Sequence, residues 1–192
     1  MKFKILLAVT LFAAAPLLAN AQFTYDVNYN FSSFSVVGTI KTDINSGVLS
    51  TADILDWNLV LNDGTNILDL LGPASGNNSQ EEIFGSVVVA SPTSITYDFS
   101  NPAFTAWIFQ SPTIGSGTNY LCYQGVSGGC NDFLGAHIGI KIGTDPVFDQ
   151  GESGVVVIAT AASGTTPEPS SLILLGTGLL GALAVMRRKM NL

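Results

Sequence analysis

Residues 23–31 read FTYDVNYNF and alternate an apolar side chain with a polar one at every step. Successive side chains of a β-strand point to opposite faces of a sheet, so this pattern predicts a strand with one buried and one solvated face. An amphipathic helix would repeat its apolar residues every three or four positions, which this stretch does not do. The segment therefore favours a fold built from antiparallel sheets that cover a core on one side.

The same two-residue period recurs through the middle of the chain. The runs SVVVA (86–90) and GVVVIATAA (154–162) have no polar face and predict strands buried on both sides. Only residues 51–62 and 64–72 could contain a helical turn. The apolar positions expected on the core face of the further alternating strands are Leu55, Trp57, Leu59 and Leu61, then Ile95, Tyr97 and Phe99, then Ile138, Ile140 and Ile142.

Clusters of Gly, Asn, Ser and Pro separate these strands, as in residues 44–47, 62–64, 73–79 and 126–129. These residue types favour tight turns because they tolerate or fix unusual backbone angles. Short strands at regular spacing with turns between them are typical of two-layered β folds. The predicted fold class is all-β, an antiparallel β-sandwich or jelly roll, formed by residues 22–163.

Charge is spread unevenly along the chain. The 192 residues are 47% hydrophobic and only 11% charged, and five of the seven basic residues lie at the two ends. Residues 22–166 hold two lysines and thirteen acidic residues, a net charge of −11. Because such a body repels phosphate groups, we expect no nucleic-acid partner.

The N-terminus has the three parts of a secretory signal peptide. The basic start MKFK is followed by the apolar run ILLAVTLFAAAPLL and by Ala19-Asn20-Ala21, in which Ala19 and Ala21 are the small residues of a cleavage site. The apolar run lacks the polar face of a first core helix. Residues 1–21 are therefore predicted to be removed on export, and the mature chain to begin near Gln22.

Residues 172–186 form an uncharged apolar run near the C-terminus. As a helix this run would be about 23 Å long, shorter than the roughly 30 Å hydrocarbon core, although the flanking side chains can reach the interfaces. A buried core helix is the alternative interpretation of a run this short. The basic cluster Arg187, Arg188 and Lys189 favours a transmembrane helix with residues 187–192 in the cytoplasm.

Pro167, Glu168 and Pro169 precede that apolar run. The two prolines keep the segment extended and accessible to an enzyme. The order PEPSS, apolar run and RRK resembles the PEP-CTERM sorting signal over about residues 167–189. The resemblance implies that residues 164–192 are a sorting segment, with 164–171 as the linker, and that Pro167, Glu168 and Pro169 are recognised and cleaved nearby by an exosortase of Gram-negative bacteria. A plain C-terminal anchor is the alternative.

Cys122 and Cys130 are the two cysteines of the chain. In an oxidising compartment such a spaced pair predicts a disulfide, here at the tip of a hairpin. Two free buried thiols are the alternative, which export disfavours.

Residues 125–129 match a catalytic motif in residue type, but the sequence around them does not predict the structure that the motif needs. Residues 125–129, GVSGG, match the nucleophile elbow, and Ser127, Asp132 and His137 follow in the order of α/β-hydrolases. An elbow leads from a strand into a helix, whereas no helical pattern follows Ser127, so a glycine-rich turn is predicted instead. His137, the only histidine of the chain, is expected to face solvent. We predict no catalytic residue and no cofactor.

Two acidic stretches could hold Ca²⁺, but neither has the spacing of a known loop. Residues 43–53 contain Asp43, Asn45 and Asp53, while Gly47 falls one position early for an EF-hand. The second stretch contains Asp145, Asp149 and Glu152. Solvated loop charges are commoner than sites, so no metal is predicted.

These features together predict a non-enzymatic protein of the cell surface or the exopolysaccharide matrix. It would be anchored in the inner membrane with its body in the periplasm, and would reach the surface or matrix after processing. One alternative is a carbohydrate-binding module, and a less favoured one is a polysaccharide hydrolase with two facing carboxylates. The aromatic residues that could stack on sugars are Trp57, Trp107, Tyr120 and Tyr123.

Overall fold

The structure is a computed structural model that describes residues 22–130 and 134–163. The predicted signal peptide with Ala19 and Ala21, the sorting segment 164–192 and Asp132 lie outside the described residues. Within the described ranges, no helix has the length and apolar character needed to cross a membrane. The described chain consists of strands, turns and a single 3₁₀ turn at Thr51–Asp53.

The strands form two antiparallel sheets. The eight-stranded sheet has the order β3-β7-β8-β13-β1-β2-β4-β5, and the five-stranded sheet has the order β12-β11-β10-β9-β6. This arrangement confirms the all-β, antiparallel, sandwich-like prediction. The strands are β1 Phe23–Asn30, β2 Ser35–Thr42, β3 Gly47–Val48, β4 Ile54–Asn62, β5 Ile67–Leu71, β6 Gln80–Phe84, β7 Val88–Ser91, β8 Ser94–Asp98, β9 Ala106–Gln110, β10 Tyr120–Gln124, β11 His137–Lys141, β12 Phe148–Gly151 and β13 Val155–Ala161.

The core lies between the inner faces of the two sheets. In β1 the alternation has the predicted effect, because Tyr25 and Val27 are buried while Asp26 and Asn28 are exposed. Aromatic rings join the sheets, as in the edge-on contact of Trp57 with Phe109, whose ring centroids are 5.5 Å apart. The side chains predicted on the core faces of β8 and β11 are likewise buried.

The start of β4 departs from the predicted register. Leu55 was expected in the core, but Ile54 is buried and Leu55 only partly so. Thr42 pairs with Ile54 while the adjacent Lys41 pairs with Asp56, so Leu55 is the extra residue of a β-bulge. A bulge shifts the alternation by one position, which strict period-two reading does not detect.

The valine-rich runs are only half buried, contrary to the prediction. Val89, Val155 and Val157 are 38%, 67% and 51% exposed on the outer face of the eight-stranded sheet. An irregularity between Val157 and Ala159 lets Ile158 and Ala159 both face the core. Of the two stretches that could contain helix, residues 64–72 contain β5, and residues 51–62 contain the 3₁₀ turn Thr51–Asp53 followed by β4.

Candidate functional site

The outer face of the five-stranded sheet is covered over its central strand β10. All five residues of β10 are buried, although one face of a sandwich strand ordinarily meets water. The cover comes from two connections, residues 111–119 between β9 and β10 and the described residues 125–130 and 134–136 of the connection between β10 and β11. Hydrogen bonds hold both connections against the sheet, and a disulfide also holds the second one.

Gln124 holds the described residues of the second connection in place. Its Oε1 accepts a 2.6 Å hydrogen bond from the Cys130 backbone N–H, and its Nε2 donates to the Gly135 carbonyl at 2.7 Å. Cys130 also forms the predicted disulfide with Cys122, whose Cα atom is 6.4 Å away. The bridge does not close a hairpin tip as expected, because Cys122 lies in mid-strand and Cys130 lies in a loop folded back over it.

Gln110 and Gln80 hold the connection 111–119 in a similar way. The Gln110 Oε1 accepts from the Gly115 N–H at 2.6 Å, and its Nε2 donates to the Thr118 carbonyl at 3.2 Å. The Gln80 Oε1 accepts from the Ile114 N–H at 3.1 Å. The buried Gln110 amide must find partners, and together with the exposed Gln80 it fixes the loop at defined points over the sheet.

A groove lies between the two connections. It has a volume of about 200 Å³, below the range of about 300–1,000 Å³ typical of ligand pockets, so it would hold one small ring. Phe104 is 57% exposed and lies edge-on to Phe84, with ring centroids 5.9 Å apart. The lining side chains carry no formal charge, and they are Phe84, Ile108, Gln110, Ile114, Gly115, Gly117, Tyr120, Gly129 and Cys130.

The four aromatic residues considered for sugar stacking are all buried. Trp57, Trp107, Tyr120 and Tyr123 are at most 5% exposed, so they pack within the protein. The Trp57 indole N–H donates to the Ser79 hydroxyl at 2.8 Å, as a buried indole requires. Of the four, Tyr120 alone contributes to the lining of the groove. The exposed aromatic residue beside the groove is Phe104, which the strand pattern did not reveal because it precedes β9.

Ser127 lies in a glycine-rich turn, as predicted. Gly125 and Gly128 form an isolated β-bridge around it, and its hydroxyl donates to the Pro102 carbonyl at 2.5 Å. His137 is partly exposed on the outer face of β11, and its Nε2 lies 3.2 Å from the Asp149 Oδ2. The Ser127 hydroxyl thus hydrogen-bonds a backbone carbonyl, while the imidazole pairs with a carboxylate.

Three of the acidic residues weighed as Ca²⁺ ligands, Asp53, Asp145 and Asp149, have partners of their own. The Asp53 Oδ2 accepts from the backbone N–H and the hydroxyl of Ser50, each at 2.7 Å, and so closes the 3₁₀ turn. Asp149 pairs with His137, and Asp145 accepts from Asn66. Among residues 22–130 and 134–163, no group of three or more His, Cys, Asp or Glu side chains is arranged to hold a metal.

Comparison with known proteins identifies the C-terminal tail. Residues 165–189 match the family model of the PEP-CTERM protein-sorting motif, which confirms the resemblance seen in the sequence. The chain thus carries the sorting signal of exported, membrane-anchored proteins, and the motif implies an exosortase as its partner. The match includes the Pro-Glu-Pro segment and the basic cluster, both outside the described residues.

No curated protein and no solved structure matches the chain. The family match is confined to the sorting segment, so any function of the β domain is inferred from its own geometry.

Proposed function

We propose that this chain is a non-enzymatic protein of the cell surface or the exopolysaccharide matrix, processed by an exosortase. The match at residues 165–189 supports the proposal, because it covers the Pro-Glu-Pro segment, the apolar run and the basic cluster. The apolar run 172–186 would hold the chain in the inner membrane until cleavage near Pro169. The acidic β domain is then the part delivered outside the cell.

Intact mass and C-terminal peptide mapping of the protein from its own host would test this route. Loss of everything beyond about Pro169, dependent on the exosortase, is the expected result. Retention of the C-terminal sequence RRKMNL in the presence of the enzyme would make the chain a simple membrane-anchored protein and end the proposal.

Replacing Glu168 with glutamine should block processing. The substitution removes the only charge of the recognition segment while keeping its size, so recognition that depends on a carboxylate fails. Unprocessed chain should accumulate in the membrane fraction, detected by the mass of the tail. Glu82→Gln, the same change on β6, is the matched control and should leave processing intact. Equal cleavage of the two variants would contradict the role assigned to Glu168.

Binding of an uncharged sugar ring is a second candidate function, favoured by the groove over the five-stranded sheet. Its floor is apolar, its cover is held by Gln110 and Gln124, and Phe104 stands exposed beside it. Rigid sites lose little entropy on binding, and aromatic rings pack against the apolar faces of sugars. The absence of charge in the lining favours a neutral sugar over an acidic one.

Affinity of the full-length protein for the neutral polysaccharide of its host, measured by calorimetry, would test this second function. We expect Phe104→Ala and Ile114→Ala to weaken binding by about 3- to 10-fold, because each removes contacts with the sugar ring. Val157→Ala, an equally exposed apolar truncation on the other sheet, should leave the affinity unchanged. If all three variants bind alike, the groove is not the binding site.

A further inference from the structure

Two turns from different sheets meet at one end of the domain. The turn 63–66 joins β4 to β5 of the eight-stranded sheet, and residues 142–147 join β11 to β12 of the five-stranded sheet. Asn66 connects them, since its backbone N–H donates to the Asp63 Oδ1 at 2.6 Å and its Nδ2 donates to the Asp145 Oδ2 at 2.5 Å. Asn66 thus donates a hydrogen bond to one carboxylate from each of the two turns.

The Asp63 carboxylate is buried and only half satisfied. The residue is 5% exposed, and its Oδ1 accepts from the backbone N–H groups of Thr65 and Asn66. Its Oδ2 is buried without any hydrogen-bond partner. The N–H of Asn66 is the main cause that holds the pKa of Asp63 below its usual value, against the opposing effect of burial. The carboxylate is therefore charged, and a buried charged oxygen with no partner costs free energy.

Asp145 brings a second carboxyl group to the same point. Its partly exposed side chain lies within hydrogen-bonding reach of Asp63, and this contact contributes to the lowered pKa of Asp63. Within the described part of the chain, neither carboxylate pairs with a lysine, an arginine or a histidine. Two neighbouring carboxyl groups, one of which has an oxygen without a hydrogen-bond partner, form an arrangement that a cation would stabilise.

We propose that Asp63, Asn66 and Asp145 bind one Ca²⁺ ion between the two turns. Carboxylate and amide oxygens are the ligands this hard cation prefers, and backbone carbonyls and water would complete its shell. A half-turn of the Asn66 amide presents its Oδ1 in place of its Nδ2, because the two ends have nearly the same shape. Mg²⁺ fits less well, since it demands a near-ideal octahedron.

The ion would join the two sheets at this end of the sandwich. The two carboxylates are supplied by turns that are distant in sequence, as Asn66 and Asp145 are separated by 79 positions. With two carboxylates the affinity should be that of extracellular modules, with a Kd of about 0.1–1 mM, which suits a protein outside the cell.

Calorimetric titration of the purified full-length protein with CaCl₂ after removal of divalent ions would test the site. We expect one ion per chain, and a rise in the unfolding temperature of about 3–6 °C when Ca²⁺ is at ten times Kd. Asp63→Asn and Asp145→Asn should each weaken binding by at least about tenfold. Asp69→Asn, which removes one exposed carboxylate from the neighbouring strand β5, is the matched control and should bind as the wild type does.

Asp145→Asn decides the question if Asp63→Asn fails to fold, because Asp145 is partly exposed and lies in the other turn. The unfolding temperature without Ca²⁺ reports whether each variant is folded. The proposal is overturned if the wild type shows no saturable binding up to about 10 mM. It is equally overturned if Asp69→Asn loses as much affinity as Asp145→Asn, or if Mg²⁺ raises the unfolding temperature as much as Ca²⁺.

Discussion

Replacing Gly38 with alanine should lower the free energy of unfolding by about 3–5 kcal/mol, one of the largest effects expected for a single methyl group. Gly38 lies in the middle of β2, paired with Val27 of β1 and Leu59 of β4. A Cβ atom at this position would lie only 1.9 Å from the Asn58 carbonyl oxygen, an atom of the neighbouring backbone. Its φ of +151° is also one that residues with a side chain rarely adopt.

Gly64→Ala separates the effect of the steric clash from that of the positive φ. Gly64 has a positive φ of +87°, but an added Cβ would meet no atom within 4 Å. Backbone strain alone should then cost about 1–2 kcal/mol. Denaturant unfolding of the two variants measures the difference, and a loss for Gly38→Ala no larger than that for Gly64→Ala would show that β2 and β4 can separate to admit the methyl group.

The sequence predicts the sheets well wherever the alternation is regular. Tyr25 and Val27 of β1 illustrate this, because a strand with one solvated face must place every second side chain inside. The prediction fails where one residue is inserted, as at Leu55. Val155 and Val157 fail for another reason, since β-branched residues favour strands whether or not they are buried.

The groove could not be predicted, because alternation says which face a residue lies on and not what covers that face. Gln110 and Gln124 each end a strand and each precede a glycine-rich connection, AWIFQ before SPTIGSG and YLCYQ before GVSGG. This repeated pattern, a strand ending in glutamine before a glycine-rich connection, is the sequence signal for the groove. Its meaning depends on loops that fold back over the sheet, and loop conformation is set by tertiary contacts rather than by local pattern.

The burial of Asp56, which lies within an otherwise apolar strand, could not be predicted for the same reason. It is 3% exposed and accepts hydrogen bonds from Lys41 at 3.1 Å and from the Ser75 hydroxyl at 2.7 Å. Burial raises its pKa, but the donors of Ser75, Lys41 and Ala74 outweigh burial and hold the pKa below its usual value. The strand pattern marks Asp56 as outward-facing, which is correct, while the loop that buries it comes from residues 72–79.

Glu81 is the buried acid whose titration should have the largest effect on stability. It is 8% exposed on the inner face of the five-stranded sheet, and its Oε1 accepts a 2.5 Å hydrogen bond from the Trp107 indole N–H. Burial, opposed by the Trp107 hydrogen bond and assisted by the nearby charge of Glu82, raises the pKa of Glu81 to about 8. The side chain is therefore largely protonated in the folded state at neutral pH.

The folded protein should lose stability as the pH rises from about 4.5 to about 8. Over that interval the folded state keeps a proton on Glu81 that the unfolded state has released, so unfolding is favoured by about 1.4 kcal/mol for each pH unit. Glu81→Gln removes this dependence, because the amide stays neutral and its oxygen can still accept from Trp107. The variant should match the wild type near pH 4 and exceed it by about 3–5 kcal/mol at pH 8.

Urea unfolding across this pH range measures the effect, with Glu82→Gln as the control. Glu82 lies on the opposite face of β6, so removing its charge should change the pH slope only slightly. Parallel stability curves for wild type and Glu81→Gln would mean that Glu81 is ionised in the folded protein, with the indole N–H offsetting its burial. A converging pair of curves toward low pH would instead establish a protonated carboxyl group inside the sandwich, and the exported domain would be most stable in mildly acidic surroundings.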